Sequence, residues 1–421
     1  MNPSEKGWLK KYLEMRSELL KDLVSKEDRK SSHPEQSLYR TIQPTGLMYG
    51  QSVVDIKIRE LNSWSEKDRM KILLAESLIS SSILFYNKPI KSGEEIADII
   101  SKTLESISNF YNNIFPEIAT PEKTFFGKRK SSLEMVEKIL DKRMERTHEY
   151  EGNFWLYFFH NSLLFLDIFI FGQWIHTNAD RIVADFFRYE REELRFSVVK
   201  VIAAAAYANK EVSYEEKKLF EYFLQSTDLS SDKRKESLKI FEKGIEIENI
   251  NIPSENSWIL KKFFLEIAIL TMWADKKVEQ TELDFIKNFS HYLKITEDDL
   301  ENSMIAIEGF VLEHWTQLEF LQNKQEYSQV SEQFIKRLSR IVEKNKGRLI
   351  TELRENRKIS LLLDKARSNE LTSAENDLMQ LELIDLIKKI PTFTIISLPH
   401  QFLTLPILLK VLPKEIFTKE A

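Results

Sequence analysis

Ten glycines and eleven prolines are spread over 421 residues, so long stretches run without any residue that forces a turn. Sheet folds need tight turns at short intervals, whereas the Leu, Ile, Lys and Glu abundant here lose little freedom on entering a helix. The chain is expected to be all-α, a multi-helix bundle. A hydrophobic content of 42%, with 11% aromatic residues, supplies cores for two or three packed units.

Local start and stop signals divide the chain further. Trp8, Leu9, Tyr12, Leu13, Met15, Leu19, Leu20 and Leu23 recur at helical spacing among charges, which predicts an amphipathic first helix and no secretion signal, hence a cytoplasmic location. His33 to Gly50 carries Pro34, Pro44, Gly46 and Gly50 and reads as an ordered loop or linker, with a β-turn at Pro44-Thr45-Gly46. Helices are expected from Trp64 to Phe85 and from Ser92 to Phe115. Ser131 and Glu134 stand at capping-box spacing before the next one. The basic run Lys128-Arg129-Lys130 after Gly127 lacks the second glycine of a phosphate-binding loop and reads as solvated.

Phe154 to Ile175 is apolar and aromatic over a length that a membrane-spanning helix would need. It also carries His160, Asn161, Asp167 and Gln173, and an ionisable residue at bilayer depth costs about 2.5–3.5 kcal/mol. A buried central helix of a bundle is the preferred reading. His176 and Asp180 share a helical face, but two candidate ligands read as an ordinary surface pair.

An internal repeat follows. Ile202 to Glu216 has a counterpart in Ile267 to Glu282, where with a constant offset Tyr207 meets Trp273, Asn209 meets Asp275, Val212 meets Val278 and Glu216 meets Glu282. Each copy reads as an apolar helix, a short turn and a second amphipathic helix; Ser213 and Glu216 have capping-box spacing, and Glu279 with Glu282 repeats its acidic half. The pattern resembles the tellurite-resistance TerB-like helical domains, whose signature is an Ala-Asp-Gly turn followed by a small apolar residue and a glutamate. Lys210 and Lys276 stand where that family carries glycine. The resemblance implies a helical module associated with metal or stress responses near membranes. The candidate ligands for a divalent cation are Asp275, Glu279 and Glu282, although a hard cation wants more converging oxygens than these and the turns read first as structural.

Tyr327 to Arg367 is charged, with Val330, Phe334, Leu338, Ile341 and Val342 on one stripe, and reads as a packing helix. Thr372 and Glu375 then start another helix that runs into Pro391. Beyond it lies an apolar segment punctuated by Pro391, Pro399, Pro406 and Pro413, with Leu398 before the central proline and Lys410 near the end. Its length just meets the roughly 20 residues that cross a bilayer, and Pro399-His400-Gln401 predicts two short helices meeting at a kink.

Residues 371–417 resemble the membrane segment of the LETM family, the leucine-zipper and EF-hand-containing transmembrane proteins, and especially bacterial LETM-related proteins described as biofilm-associated. The resemblance implies membrane association and cation homeostasis or envelope physiology. Ribosome binding belongs to the family only beyond this segment, and neither that part nor an EF-hand is expected before Ala421. The resulting organisation is an N-terminal helical region over 1–150, an apolar helix and connector over 151–190, the TerB-like region over 191–322, a charged connector over 323–370 and the LETM-like segment over 371–421.

Several classes of function find no support in these residues. A net charge of −5 gives no field for nucleic acid. The absence of cysteine removes thiolate catalysis, disulfides and cysteine-containing zinc sites. No glycine-rich nucleotide loop, His-Glu-x-x-His pair or nucleophile motif is present, and no small-molecule substrate is evident. The expectation is a non-enzymatic protein without a resident cofactor, whose partner is a membrane or membrane protein reached through the C-terminal segment. The alternative is a helical interaction or scaffold protein that buries this segment in its own core.

Overall fold

A computed structural model describes residues 1–25, 35, 39, 64–84, 92–121, 130–145, 153–175, 177, 181–252, 257–273, 280–318, 324–367, 371–394, 396 and 398–417. The described residues are predominantly helical, with no strand among them. Two compact units are formed, Met1–Tyr207 with Lys217–Phe263, and Ala208–Glu216 with Phe264–Ala421.

The first unit contains α1 (Trp8–Ser25), α2 (Glu66–Leu84), α3 (Gly93–Ile114), α4 (Ser132–Glu145), α5 (Phe154–Ser162), α6 (Leu164–Trp174) and α7 (Arg181–Ala206). Most of α8 (Tyr214–Ser226), all of α9 (Ser231–Lys243) and the start of α10 (Trp258–Met272) complete it. The apolar stretch expected as one helix is interrupted only by a tightened turn at Leu163, between α5 and α6. Of its most apolar window, 94% is buried inside the protein. Phe165 stacks on Phe263 at 4.6 Å, Phe159 meets Phe223 edge-on at 5.2 Å, and Phe171 meets Phe110 at 5.4 Å. The aromatic side chains that suggested a lipid-facing surface thus pack against one another.

Two helix starts in this unit are completed by carboxylates from far away in the chain. Glu137 of α4 accepts from the backbone N–H groups of Gly7 at 2.7 Å and Leu9 at 3.2 Å. Glu35 accepts from Ser257 Oγ at 2.6 Å and Trp258 N at 2.8 Å. Free N–H groups at a helix start attract negative charge, so both contacts satisfy orphan donors and fix a helix against a distant segment. Glu35 and Tyr39 are helical, and Tyr39 is buried edge-on to Trp258. The loop expected from His33 to Gly50 is therefore corrected at these two positions; Pro44-Thr45-Gly46 and Gly127-Lys128 lie outside the described residues.

The second unit contains α11 (Gln280–Tyr292), α12 (Glu297–Glu313), α13 (Lys324–Lys344), α14 (Lys346–Glu355), α15 (Arg357–Arg367), α16 (Ser373–Ile387) and α17 (Leu405–Val411). The single packing helix expected over Tyr327 to Arg367 is three helices. Asn345 interrupts the first pair, and Asn356 turns its side chain back to accept from Lys358 N and Ile359 N at 3.1 and 3.2 Å. Asparagine competes with the helical backbone in this way and so favours a helix start over a helix interior.

All three capping boxes are formed. Ser131 and Glu134, Ser213 and Glu216, and Thr372 and Glu375 each exchange side-chain and backbone bonds reciprocally. Just before the second box, Asn209 Oδ1 accepts from Glu211 N, and Lys210 holds a φ of +67°. A left-handed residue with a Cβ costs about 1–2 kcal/mol. Lys210→Gly is expected to raise the thermal midpoint, by an amount corresponding to up to about 1 kcal/mol after glycine's greater unfolded-state freedom is counted. An unchanged or lower midpoint would show that this lysine side chain holds the turn by other means.

Candidate functional site

Two places carry the chemistry of a site, one in each unit. In the first unit, α6 delivers Asp167 into the core, where its carboxylate is 1% exposed and pairs with Arg143 Nε of α4 at 2.6 Å. Tyr111 of α3 donates its hydroxyl to the same carboxylate at 3.4 Å. Burial, with Asp167 second, holds the Tyr111 hydroxyl well above its ordinary pKa. Burial alone would weaken the Arg143 charge, but Asp167 outweighs it and holds the guanidinium above the usual arginine value. Both shifts carry Tyr111 and Arg143 further from neutrality.

Two further arginines lie one turn apart on α7. Arg191 stacks its guanidinium 3.9 Å over the Phe115 ring and donates to Glu117 at 3.1 Å. Arg195 is 2% exposed, and its Nη1 reaches Asp228 at 3.5 Å. Burial first, then the charge of Arg191, lowers its pKa to about 9. The network's geometry ties α3, α4, α6 and α7 together around alternating charges.

The second place is the C-terminal apolar segment. Only α17 is helical in the regular sense; Pro391–Thr394 and Lys414–Phe417 are 3-10 turns, and residues 398–404 form a turn and extended chain. The expected pair of helices is thus one seven-residue helix and a folded-down strap. The turn at Pro399 is held by one local and one distant bond. Leu403 N bonds back to its carbonyl at 3.0 Å, and the Glu313 carboxylate at the end of α12 accepts from Gln401 N at 3.3 Å. Together these bonds form a single turn over residues 399–403, tied down by a carboxylate from α12.

The strap is packed within its own unit. Leu398, Pro399, Phe402, Leu403, Leu408, Val411 and Pro413 are buried, while Pro391, Pro406 and Lys410 face outward. Phe402 meets Phe334 of α13 edge-on at 5.5 Å, and α17 lies on α13 and α16. Gly309 in α12 makes the close approach feasible: a Cβ there would stand 3.2 Å from the Pro399 ring and 3.4 Å from Phe334. Beside the strap, Leu363, Leu371, Met379, Leu405, Leu409 and Phe417 line an open groove of about 430 Å³.

At the same end of α12, His314 Nδ1 lies 3.0 Å from the Phe310 carbonyl, and burial lowers the imidazole pKa. The folded chain keeps His314 neutral where the unfolded chain takes up a proton, below about pH 6.5. Its stabilising contribution is complete above that value and is lost as pH falls further. Denaturant midpoints measured from pH 7.5 to 5 are expected to decline, and His314→Gln is expected to make the decline shallower.

Of the metal candidates, Asp275 and Glu279 lie outside the described residues, as do His176 and Asp180. Glu282 sits in the first turn of α11 and is buried. Among the described residues no group of three His, Cys, Asp or Glu side chains is placed to hold a metal ion. Sequence reasoning missed the Arg143–Asp167 pair, Glu313 and Gly309. Asp167 alone gave a signal, as a charge inside an apolar run.

Compared with protein-family models, curated proteins and solved structures, the chain matches none.

Proposed function

We propose that this chain is a non-catalytic helical interaction protein whose C-terminal apolar segment is part of its own core. Support comes from the burial of Phe393, Leu398, Phe402, Leu403, Leu408 and Val411 within the second unit. Apolar side chains already covered by protein gain nothing further from lipid. The open groove at Leu405, Leu409 and Phe417 is the natural surface for an apolar partner segment.

Cell fractionation tests this reading. The full chain is expected in the soluble fraction, and deletion of residues 391–421 is expected to cause aggregation through the exposed faces of α13 and α16. Carbonate-resistant membrane pelleting of the full chain, relieved by the deletion, would overturn it.

A second reading, LETM-like membrane association linked to cation homeostasis or envelope and biofilm physiology, draws on Leu409, which is 47% exposed beside outward-facing Lys410 and Lys414. Such a contact would be peripheral. Seven helical residues rise about 10 Å, against a hydrocarbon thickness of about 30 Å. It predicts binding to anionic vesicles that Leu409→Glu abolishes.

A further inference from the structure

In the arginine cluster of the first unit, the buried acid and the buried guanidiniums are unevenly matched. Asp167 is committed to Arg143 and Tyr111. The carboxylates that face Arg191 and Arg195 stand at the surface: Glu117, and Asp228 in the connection between α8 and α9, which is 41% exposed. One atom, Asp228 Oδ2, serves both arginines, 3.6 Å from Arg191 Nη2 and 3.5 Å from Arg195 Nη1. Both distances exceed the roughly 2.7–2.9 Å of a charge-assisted hydrogen bond. The Nε groups of Arg191 and Arg195 are buried and donate to no acceptor among the described residues. Native proteins leave few buried donors unpaired, so two in one cluster call for an explanation.

We propose that Arg191 and Arg195 form a binding site for a small phosphate-type oxyanion, and that Asp228 is an internal carboxylate covering it until the ligand displaces it. Nε and Nη2 of Arg191 lie on one edge of the guanidinium, the fork that takes two oxygens of one phosphate group. The Phe115 ring, stacked 3.9 Å from that guanidinium, holds its plane in place. A single Asp228 oxygen at long range leaves the fork half used, whereas a tetrahedral oxyanion has oxygens for both arginines. Asp228 can turn outward at little cost, because an ion pair to a half-exposed carboxylate is weak. Burial, then the like charge of Arg191, weakens the charge on Arg195, and a bound anion offsets both. The proposal goes beyond the function argued above, and its failure would leave that reading standing.

Calorimetric titration of the full chain with inorganic phosphate, at an ionic strength held constant with chloride, tests the site. Asp228→Asn is expected to bind one equivalent at least tenfold more tightly than the parent chain, because the competing carboxylate is gone. In that background Arg191→Gln is expected to lose binding with an unchanged circular dichroism spectrum. Arg191→Lys, which keeps the charge without the fork, should recover only a small part of it. Glycerol phosphate used in place of inorganic phosphate separates a phosphorylated small molecule from a free ion, and saturable binding of either supports the site. An Asp228→Asn chain that binds neither probe, binds no more tightly than the parent, or binds equally well after Arg191→Gln would overturn the proposal.

Discussion

Replacing Asp167 by leucine is expected to destabilise the first unit by about 3–5 kcal/mol, because Arg143 would be left as a buried charge without its carboxylate. The double variant Arg143→Met with Asp167→Leu removes both charges and is expected to recover most of that loss. Urea unfolding followed by tryptophan fluorescence measures both, with the earlier transition assigned to its unit by hydrogen exchange over α3 and α6. The two units make a single all-or-none transition an unsafe assumption. If the single and double variants were equally unstable, the loss would reside in packing around Leu164 to Trp174 and not in the ion pair.

Phe402→Ala is the matching experiment in the second unit. Its ring is 6% exposed and packs against Phe334 and Tyr327, so truncation is expected to cost about 3–5 kcal/mol. Gly309→Leu attacks the same contact from the other side, since the added side chain must enter the space of the Pro399 ring. Both variants should release the strap to proteolysis between Pro391 and Pro413 while leaving the first unit's unfolding unchanged. A Phe402→Ala protein as stable as the parent would mean that the strap is not core, and would return weight to membrane docking.

These experiments fall where sequence and structure parted. The capping boxes at Ser131, Ser213 and Thr372 were legible because each closes within three residues, and the same locality made the helices near 64–84 and 92–115 readable. The turn after Pro399 was less legible for a related reason. Proline marks where a helix stops, but where the chain goes next was decided by Glu313, 88 positions from Gln401. The break at Asn356 had a local cue in the asparagine itself, which the reading of Tyr327 to Arg367 as one packing helix passed over. The partners of Asp167, like the carboxylates that start α1 and α10, come from segments whose approach no local pattern encodes. Buried ion pairs are less legible than helices because they are made of such long-range contacts.

The unit boundaries also have a consequence for synthesis. The first unit takes its last part from Lys217–Phe263, and Glu35 has no Ser257 or Trp258 to cap until those residues exist. The α5–α6 stretch leaves the ribosome about 90 residues earlier, an interval of roughly 5–20 s at ordinary elongation rates. During that time its phenylalanines lack first Phe223 and then Phe263 as neighbours, so the nascent segment exposes apolar rings until the first unit is complete.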